Sequence, residues 1–90
     1  MRVVAQSDLI DEVHRRGGAV YVWPRRLRCC GGSVVLEAAT DPNGREFQVA
    51  AEEPVRVFVT VGMIMPETLH LELDRRSRIR AFWNGLAWIA

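Results

Sequence analysis

The chain contains no lysine and only two cysteines, Cys29 and Cys30, which are adjacent. All 12 basic residues are arginine, a bias that indicates GC-rich coding rather than selection for guanidinium chemistry. Neighbouring Cα atoms lie about 3.8 Å apart, which is closer than the roughly 4.4 to 6.8 Å of ordinary disulfides. A disulfide between these two cysteines would be strained and easily reduced, so we do not expect it to staple the fold, and we expect reduced thiols.

Long apolar runs are also lacking. No stretch approaches the roughly 20 residues that a membrane-spanning helix needs. The N-terminal residues from Met1 to Asp8 include charge before any signal-like apolar stretch forms. We therefore expect a cytoplasmic protein without a membrane partner, folded as a single domain over residues 1–90.

An excess of charge of one sign is absent as well. Twelve basic and 11 acidic residues leave a formal charge of +1, so the overall balance gives no reason to expect a nucleic-acid partner. Nucleotide-binding glycine patterns, a Gly-x-Ser-x-Gly elbow and a His-Glu-x-x-His zinc motif are missing too. No motif identifies an enzyme, and the question of catalysis stays open.

The patterns that are present predict one short helix followed by strands. Ser7 can cap a helix with apolar positions at Leu9, Ile10 and Val13, which ends before Gly17. Alternating or β-branched segments then predict strands. These segments are 19–23, 33–39, 45–50, 55–61, 69–74 and 79–83, with 55–61 as the central strand.

The turn sequence at residues 41–44 predicts that the strands on either side of it form a hairpin. A second hairpin is expected at Asn84-Gly85, before the final apolar residues. Together the elements predict an α+β fold, a mainly antiparallel β-sandwich or rolled sheet with one short N-terminal helix.

The run from Leu27 to Ser33 is the segment with the most distinctive chemistry. Arg28, together with the two arginines at 25 and 26, would favour the thiolate form of the cysteines, which is the form that binds metals and attacks disulfides. Gly31 and Gly32 give the following backbone the freedom to direct N–H groups at sulfur or at an anion.

The order of elements and the Cys30-Gly31-Gly32 turn resemble the HesB-like family, which includes the A-type iron-sulfur carriers. The resemblance extends from about Asp8 to Gly85 and implies a HesB-like domain with a cysteine ligand at the turn, at Cys30 or Cys29. It also implies a protein partner for transfer of a metal or cluster. The chain departs from the A-type carriers because it has no C-terminal Cys-Gly-Cys segment, and is identified as a divergent member with a Cys-Cys turn.

One chain supplies two sulfurs, whereas structural zinc and most iron-sulfur clusters take four ligands. A homodimer with two turns face to face would complete such a site and is the arrangement we rank first. The alternatives within one chain are linear two-thiolate capture of a soft ion, or recruitment of His70 as an extra ligand. The expected cofactor is accordingly an iron-sulfur cluster or a soft metal ion.

Three functions follow from these patterns. The first is a metal-binding or iron-sulfur-binding accessory or carrier protein, and the second is a thiol-redox or sulfur-handling protein. The third is an interaction module with incidental cysteines, which would bind its partner through the terminal tryptophan hairpin. Separately, Trp88 is the best candidate for a subunit contact. A basic cluster could bind single-stranded nucleic acid, but we interpret it as a solvated edge. Its residues are Arg75, Arg76, Arg78 and Arg80, with Phe82 and Trp83 beside them.

Overall fold

A computed structural model of the protein describes residues 1–26, 34–63 and 67–84. These residues form one helix and seven strands. In chain order the elements are β1 (Arg2–Ala5), α1 (Ser7–Arg15), β2 (Ala19–Arg26), β3 (Val34–Ala39), β4 (Phe47–Ala51), β5 (Arg56–Thr60), β6 (Thr68–Leu73) and β7 (Ile79–Asn84).

Four of the strands form one sheet in the order β3-β2-β5-β4. The two central strands, β2 and β5, run parallel, with Val20 beside Val57 and Val22 beside Val59. All four of these valines are fully buried. β5 is therefore a central strand, as its alternation of valine with larger or polar residues predicts.

The remaining strands form a second sheet in the order β1-β6-β7. β6 pairs in parallel with β1 and antiparallel with β7. Leu69 and Leu71 point from β6 into the core and are almost completely buried, while His70 lies on the opposite face of the sheet. The half-buried strand that the leucine alternation predicts is thus present.

Both sheets are mixed, and each contains one parallel pairing that the expectation of a mainly antiparallel sheet did not include. The pairing in the second sheet involves β1, a strand that the sequence pattern did not identify. Its four residues are too few to show a period, and they are held by pairing with β6 and by the bond from the Arg2 N–H to the Glu67 carbonyl at 2.9 Å.

The predicted hairpin between the strands before and after residues 41–44 is wrong. The turn itself forms, since Asn43 and Gly44 have φ values of 53° and 75° and the Arg45 N–H donates to the Pro42 carbonyl. The two strands nevertheless occupy opposite edges of the four-stranded sheet. The central places go to β2 and β5, whose valines are completely buried between the sheets and the helix.

The helix joins this core through two completely buried residues, Leu9 and Val13. Ser7 is the first helical residue rather than the cap. Gln6 holds the cap position, with no side-chain hydrogen bond to the helix. At the other end, the Gly18 N–H donates to the Val13 carbonyl at 2.8 Å, and both glycines that follow the helix have positive φ. The core unites the helix with both sheets, through Leu9, Val13, Val20, Val22, Val55, Val57, Val59, Met63, Leu69, Leu71, Ile79 and Ala81.

The turn between β6 and β7 is organised by the side chain of Asp74. Its Oδ1 accepts hydrogen bonds from the backbone N–H groups of Arg76 and Arg78, at 2.8 and 2.9 Å, and the Arg78 Nε donates to Oδ2 at 3.2 Å. These donors, chiefly the Arg78 N–H, lower the pKa of Asp74 below its usual 3.8. The carboxylate therefore stabilises the turn in its charged form.

We expect Asp74→Asn to lower the unfolding temperature at pH 7, because the amide cannot supply the same charge to the turn. A carboxyl whose pKa is lower in the folded state stabilises the fold above its ordinary pKa, and this contribution is lost as the pH falls through the folded pKa. The difference from the wild type should therefore shrink once the pH drops below 3.8. Asp11→Asn, which removes an exposed aspartate of α1, is the control. A difference independent of pH would contradict the assignment.

The helix α1 is nine residues long, and no helix in the described part of the chain is long and apolar enough to cross a membrane.

Candidate functional site

The predicted cysteine site belongs to the chain between β2 and β3. Cys29 and Cys30 lie outside the described residues, as do Arg28, Gly31 and Gly32. The strands on either side are described, and they pair antiparallel with Arg26 opposite Val34. Directly opposite Cα atoms in such a pair are about 4.5 to 5.5 Å apart, so the connecting residues leave and re-enter the sheet at one place.

A network of side chains lies on the outer face of this strand pair. Glu37 of β3 lies opposite Trp23 of β2. Its Oε2 accepts a hydrogen bond from the Trp23 Nε1 at 3.0 Å, and its Oε1 lies 2.6 Å from the Arg25 Nε. The guanidinium of Arg45 covers the Trp23 ring, 4.5 Å from its centre. These four residues, which we call the hairpin base, tie β2, β3 and the start of β4 together.

His70, the predicted extra ligand, lies in the other sheet. It is in the middle of β6, opposite Val4 on β1 and Phe82 on β7. These three residues face away from the core, and they line a groove of about 410 Å³ with Gln6 and Glu72. The His70 Nε2 is buried and has no hydrogen-bond partner among the described residues. An imidazole nitrogen that carries no proton can accept a hydrogen bond or bind a metal.

The β2–β3 strand pair, which flanks the cysteine segment, and the sheet that carries His70 approach each other through β3 and β7, which are in contact. A second groove, of about 270 Å³, runs between the start of β3 at Val34 and the residues around Phe82. Phe82 lines both this groove and the groove at His70. His70 and the strand that follows the cysteine segment therefore each line a groove that Phe82 borders.

Within residues 1–26, 34–63 and 67–84, no three His, Cys, Asp or Glu side chains are grouped so as to hold a metal ion. Both cysteines fall outside these ranges. Trp88, the predicted subunit contact, and the expected hairpin at Asn84-Gly85 extend beyond them as well.

The shifted carboxyl pKa values belong to α1 and the β6–β7 turn. That of Glu12 is lowered by hydrogen bonds from Arg15 and Arg16.

The basic cluster near β7 does not form one continuous face. Arg78 is paired with Asp74 in the turn. Arg80 and Phe82 lie on the outer face of β7, whereas Trp83 lies opposite Leu69 and points toward the core. This arrangement agrees with the interpretation of these arginines as a solvated edge.

An aromatic cluster that the sequence analysis did not single out covers the outer face of the four-stranded sheet. Tyr21 and Phe58 are opposite each other on the parallel central strands, with ring centres 5.0 Å apart and planes 16° apart. Phe47 of β4 meets Tyr21 edge to face at 5.0 Å, and Val49 beside it is 49% exposed. For Tyr21 and Phe58, the signal in the sequence was the alternation of each ring with buried valines, which places the ring on the second face of its strand.

No family model, curated protein or solved structure matches this chain.

Proposed function

We propose that this chain is a HesB-like domain that binds an iron-sulfur cluster or a soft metal ion through Cys29 and Cys30 and passes it to a partner protein. The observation that carries the proposal is the pairing of Arg26 with Val34, because the cysteine run connects these two residues along the chain. A pair of thiols in such a connection can meet a ligand without disturbing the core. The resemblance to the HesB-like family supports the same assignment.

The charges around the connection favour thiolate. Arg26 is exposed at the last position of β2, and Arg28 precedes the cysteines directly. Arg25 is held at the hairpin base by Glu37, so part of its charge is already compensated. Arg26 and Arg28 are therefore the residues that we assign to stabilising the thiolates.

Two thiolates per chain are too few for a cluster or a tetrahedral ion, so the proposed site is shared by two copies in a homodimer. A single chain could instead hold a soft ion linearly, or could recruit His70, whose Nε2 is buried without a partner among the described residues. The position of Phe82 between the two grooves supports testing His70 as a ligand.

The test is anaerobic purification of the wild type and of a Cys29→Ser, Cys30→Ser variant, with metal, acid-labile sulfide and visible spectra measured for both. We expect stoichiometric metal in the wild type and essentially none in the variant, because serine is a poor ligand for soft metals. Sulfide would identify a cluster, and one site per two chains would identify the shared dimer. Equal folding of the two proteins, compared by circular dichroism, is the control.

A wild type that is metal-free and takes up neither Fe, Zn nor Cu(I) would refute the proposal. If its thiols then react rapidly with a disulfide, the thiol-redox function is supported instead. If the serine variant keeps every cellular or binding property of the wild type, the cysteines are incidental and the interaction module remains.

His70→Ala distinguishes the mononuclear alternatives. If His70 is a direct ligand, the variant should lose at least the roughly ten- to a hundredfold in metal affinity that follows from removing a residue that only orients a ligand. His14→Ala, which removes the exposed histidine of α1, is the matched control. Unchanged affinity in His70→Ala would leave the thiolates of one or two chains as the whole ligand set.

A further inference from the structure

The outer face of the four-stranded sheet combines the rings of Tyr21, Phe47 and Phe58 with the half-exposed Val49. None of these residues belongs to the buried core that the helix and the two sheets share. We call this surface the aromatic face. It involves neither cysteine, and an inference from it is independent of the proposed metal site.

Two arginines border the aromatic face and rest on rings. Arg45 lies over Trp23 at 4.5 Å, and Arg56 lies over Phe58 at 5.4 Å from the ring centre. Neither guanidinium forms an ion pair with any carboxylate in the described part of the chain, although four other arginines do. Stacking on a ring restrains the guanidinium and leaves its N–H edge available for a planar anion.

The arrangement of the rings favours carboxylates over nucleic-acid bases as the groups that would bind this face. Tyr21 and Phe58 turn their faces toward each other, and Arg56 approaches a face of Phe58, so ring faces are already used within the cluster. Bases of single-stranded nucleic acid need free ring faces on which to stack. Ring edges, by contrast, carry the positive part of the quadrupole, which attracts carboxylate oxygens.

A second copy of this chain fits the surface poorly. Two aromatic faces in contact would bring both pairs of arginines into one interface without carboxylates from the face itself, because Glu37 is already engaged by Trp23 and Arg25. Like charges in an interface oppose association. We infer that the aromatic face is a docking site for an acidic segment of a partner protein, with Arg45 and Arg56 binding its carboxylates and Val49 contacting its apolar side chains.

The test uses a short synthetic peptide in which glutamate alternates with leucine, titrated into the full chain and followed by NMR of the arginine Nε–H groups and the Val49 amide. We expect saturable shifts at these positions and weaker binding at higher salt, because exposed charges are screened. Arg45→Gln and Arg56→Gln should each weaken binding by up to about fivefold, the upper range for an exposed charge pair. Arg76→Gln, which removes an exposed arginine outside the face, should leave the affinity unchanged.

Three results would overturn the inference. Tighter binding of oligothymidylate than of the peptide, lost in the same arginine variants, would assign the face to nucleic acid. Concentration-dependent dimerisation that disappears in Val49→Glu would assign it to a second copy. Absence of saturable shifts with the glutamate peptide, or equal shifts with a lysine-containing peptide, would show that the face does not select acidic segments.

Discussion

Leu69→Ala is expected to destabilise the protein by about 2 to 5 kcal/mol, the range for truncating a fully buried leucine. Leu69 is 0% exposed on the core-facing side of β6, and β6 is the middle strand of its sheet. Its loss leaves a cavity between the sheet and the rest of the core, which the paired neighbours on β1 and β7 cannot close without breaking their registers. Because domains of this kind have roughly 5 to 15 kcal/mol in total, the variant should be marginal.

Urea unfolding followed by circular dichroism measures this effect. Leu73→Ala is the matched control, since Leu73 lies at the end of the same strand and is only half-buried. The loss of unfolding free energy expected for Leu73→Ala is clearly smaller than that for Leu69→Ala. Leu69→Met, which nearly conserves volume, should cost less than about 1.5 kcal/mol and keeps the comparison measurable if the alanine variant fails to fold. Equal losses for Leu69→Ala and Leu73→Ala would contradict the assigned core.

Trp23→Ala is expected to cost about 3 to 5 kcal/mol, even though Trp23 lies on the outer face of its sheet. Its exposure is only 8% because Arg45 lies on its ring and Glu37 binds its indole nitrogen. Removing the ring takes away the contact that joins β2 to β3 and to the start of β4. The hairpin that carries the cysteine segment should therefore open more easily, which amide hydrogen exchange at β2 and β3 measures directly.

Two milder substitutions separate the contributions of the ring, the indole hydrogen bond and the Glu37 charge to this loss of stability. Trp23→Phe keeps an aromatic ring and loses the indole N–H, leaving the Glu37 carboxylate with one donor fewer. Its cost should be about 0.5 to 1.5 kcal/mol from the hydrogen bond, with some loss of packing in addition. Glu37→Gln keeps an acceptor for Trp23 but weakens the pair with Arg25, whose side chain is 58% exposed. An exposed pair of this kind contributes roughly 0 to 1 kcal/mol. If Glu37→Gln costs as much as Trp23→Ala, the charge rather than the ring holds the hairpin.

Much of the local structure was predictable because each element has its own period. Leu9 and Val13 are spaced for one face of a helix, and both are fully buried. The alternating valines of β5 and leucines of β6 likewise identify the buried face of each strand. For the candidate site, the sequence supplied the residue types, namely two adjacent thiols among arginines and glycines, and these stay a prediction.

Strand pairing was harder to predict because it depends on residues far apart in the chain. The turn at Asn43-Gly44 has the expected local geometry, yet the strands that it connects lie at opposite edges of a sheet. A turn fixes the backbone conformation of its own residues. It does not force the two flanking strands to pair when the whole connection is long enough to cross the sheet. The pairing is instead decided by burial, since β2 and β5 each hide two valines completely, whereas the valines of the edge strands are half-buried or exposed.

The amino-acid sequence by itself determined the helix α1, the alternation of the main strands and the position of both cysteines in one glycine-rich run. Only the tertiary structure decided that β1 completes a mixed sheet, that Trp23 is buried on an outer face, and that His70 and the start of β3 share Phe82 as a neighbour. The reason is physical. Periodicity reports which face of an element avoids water, whereas the partner of that face is selected by the packing of the whole chain.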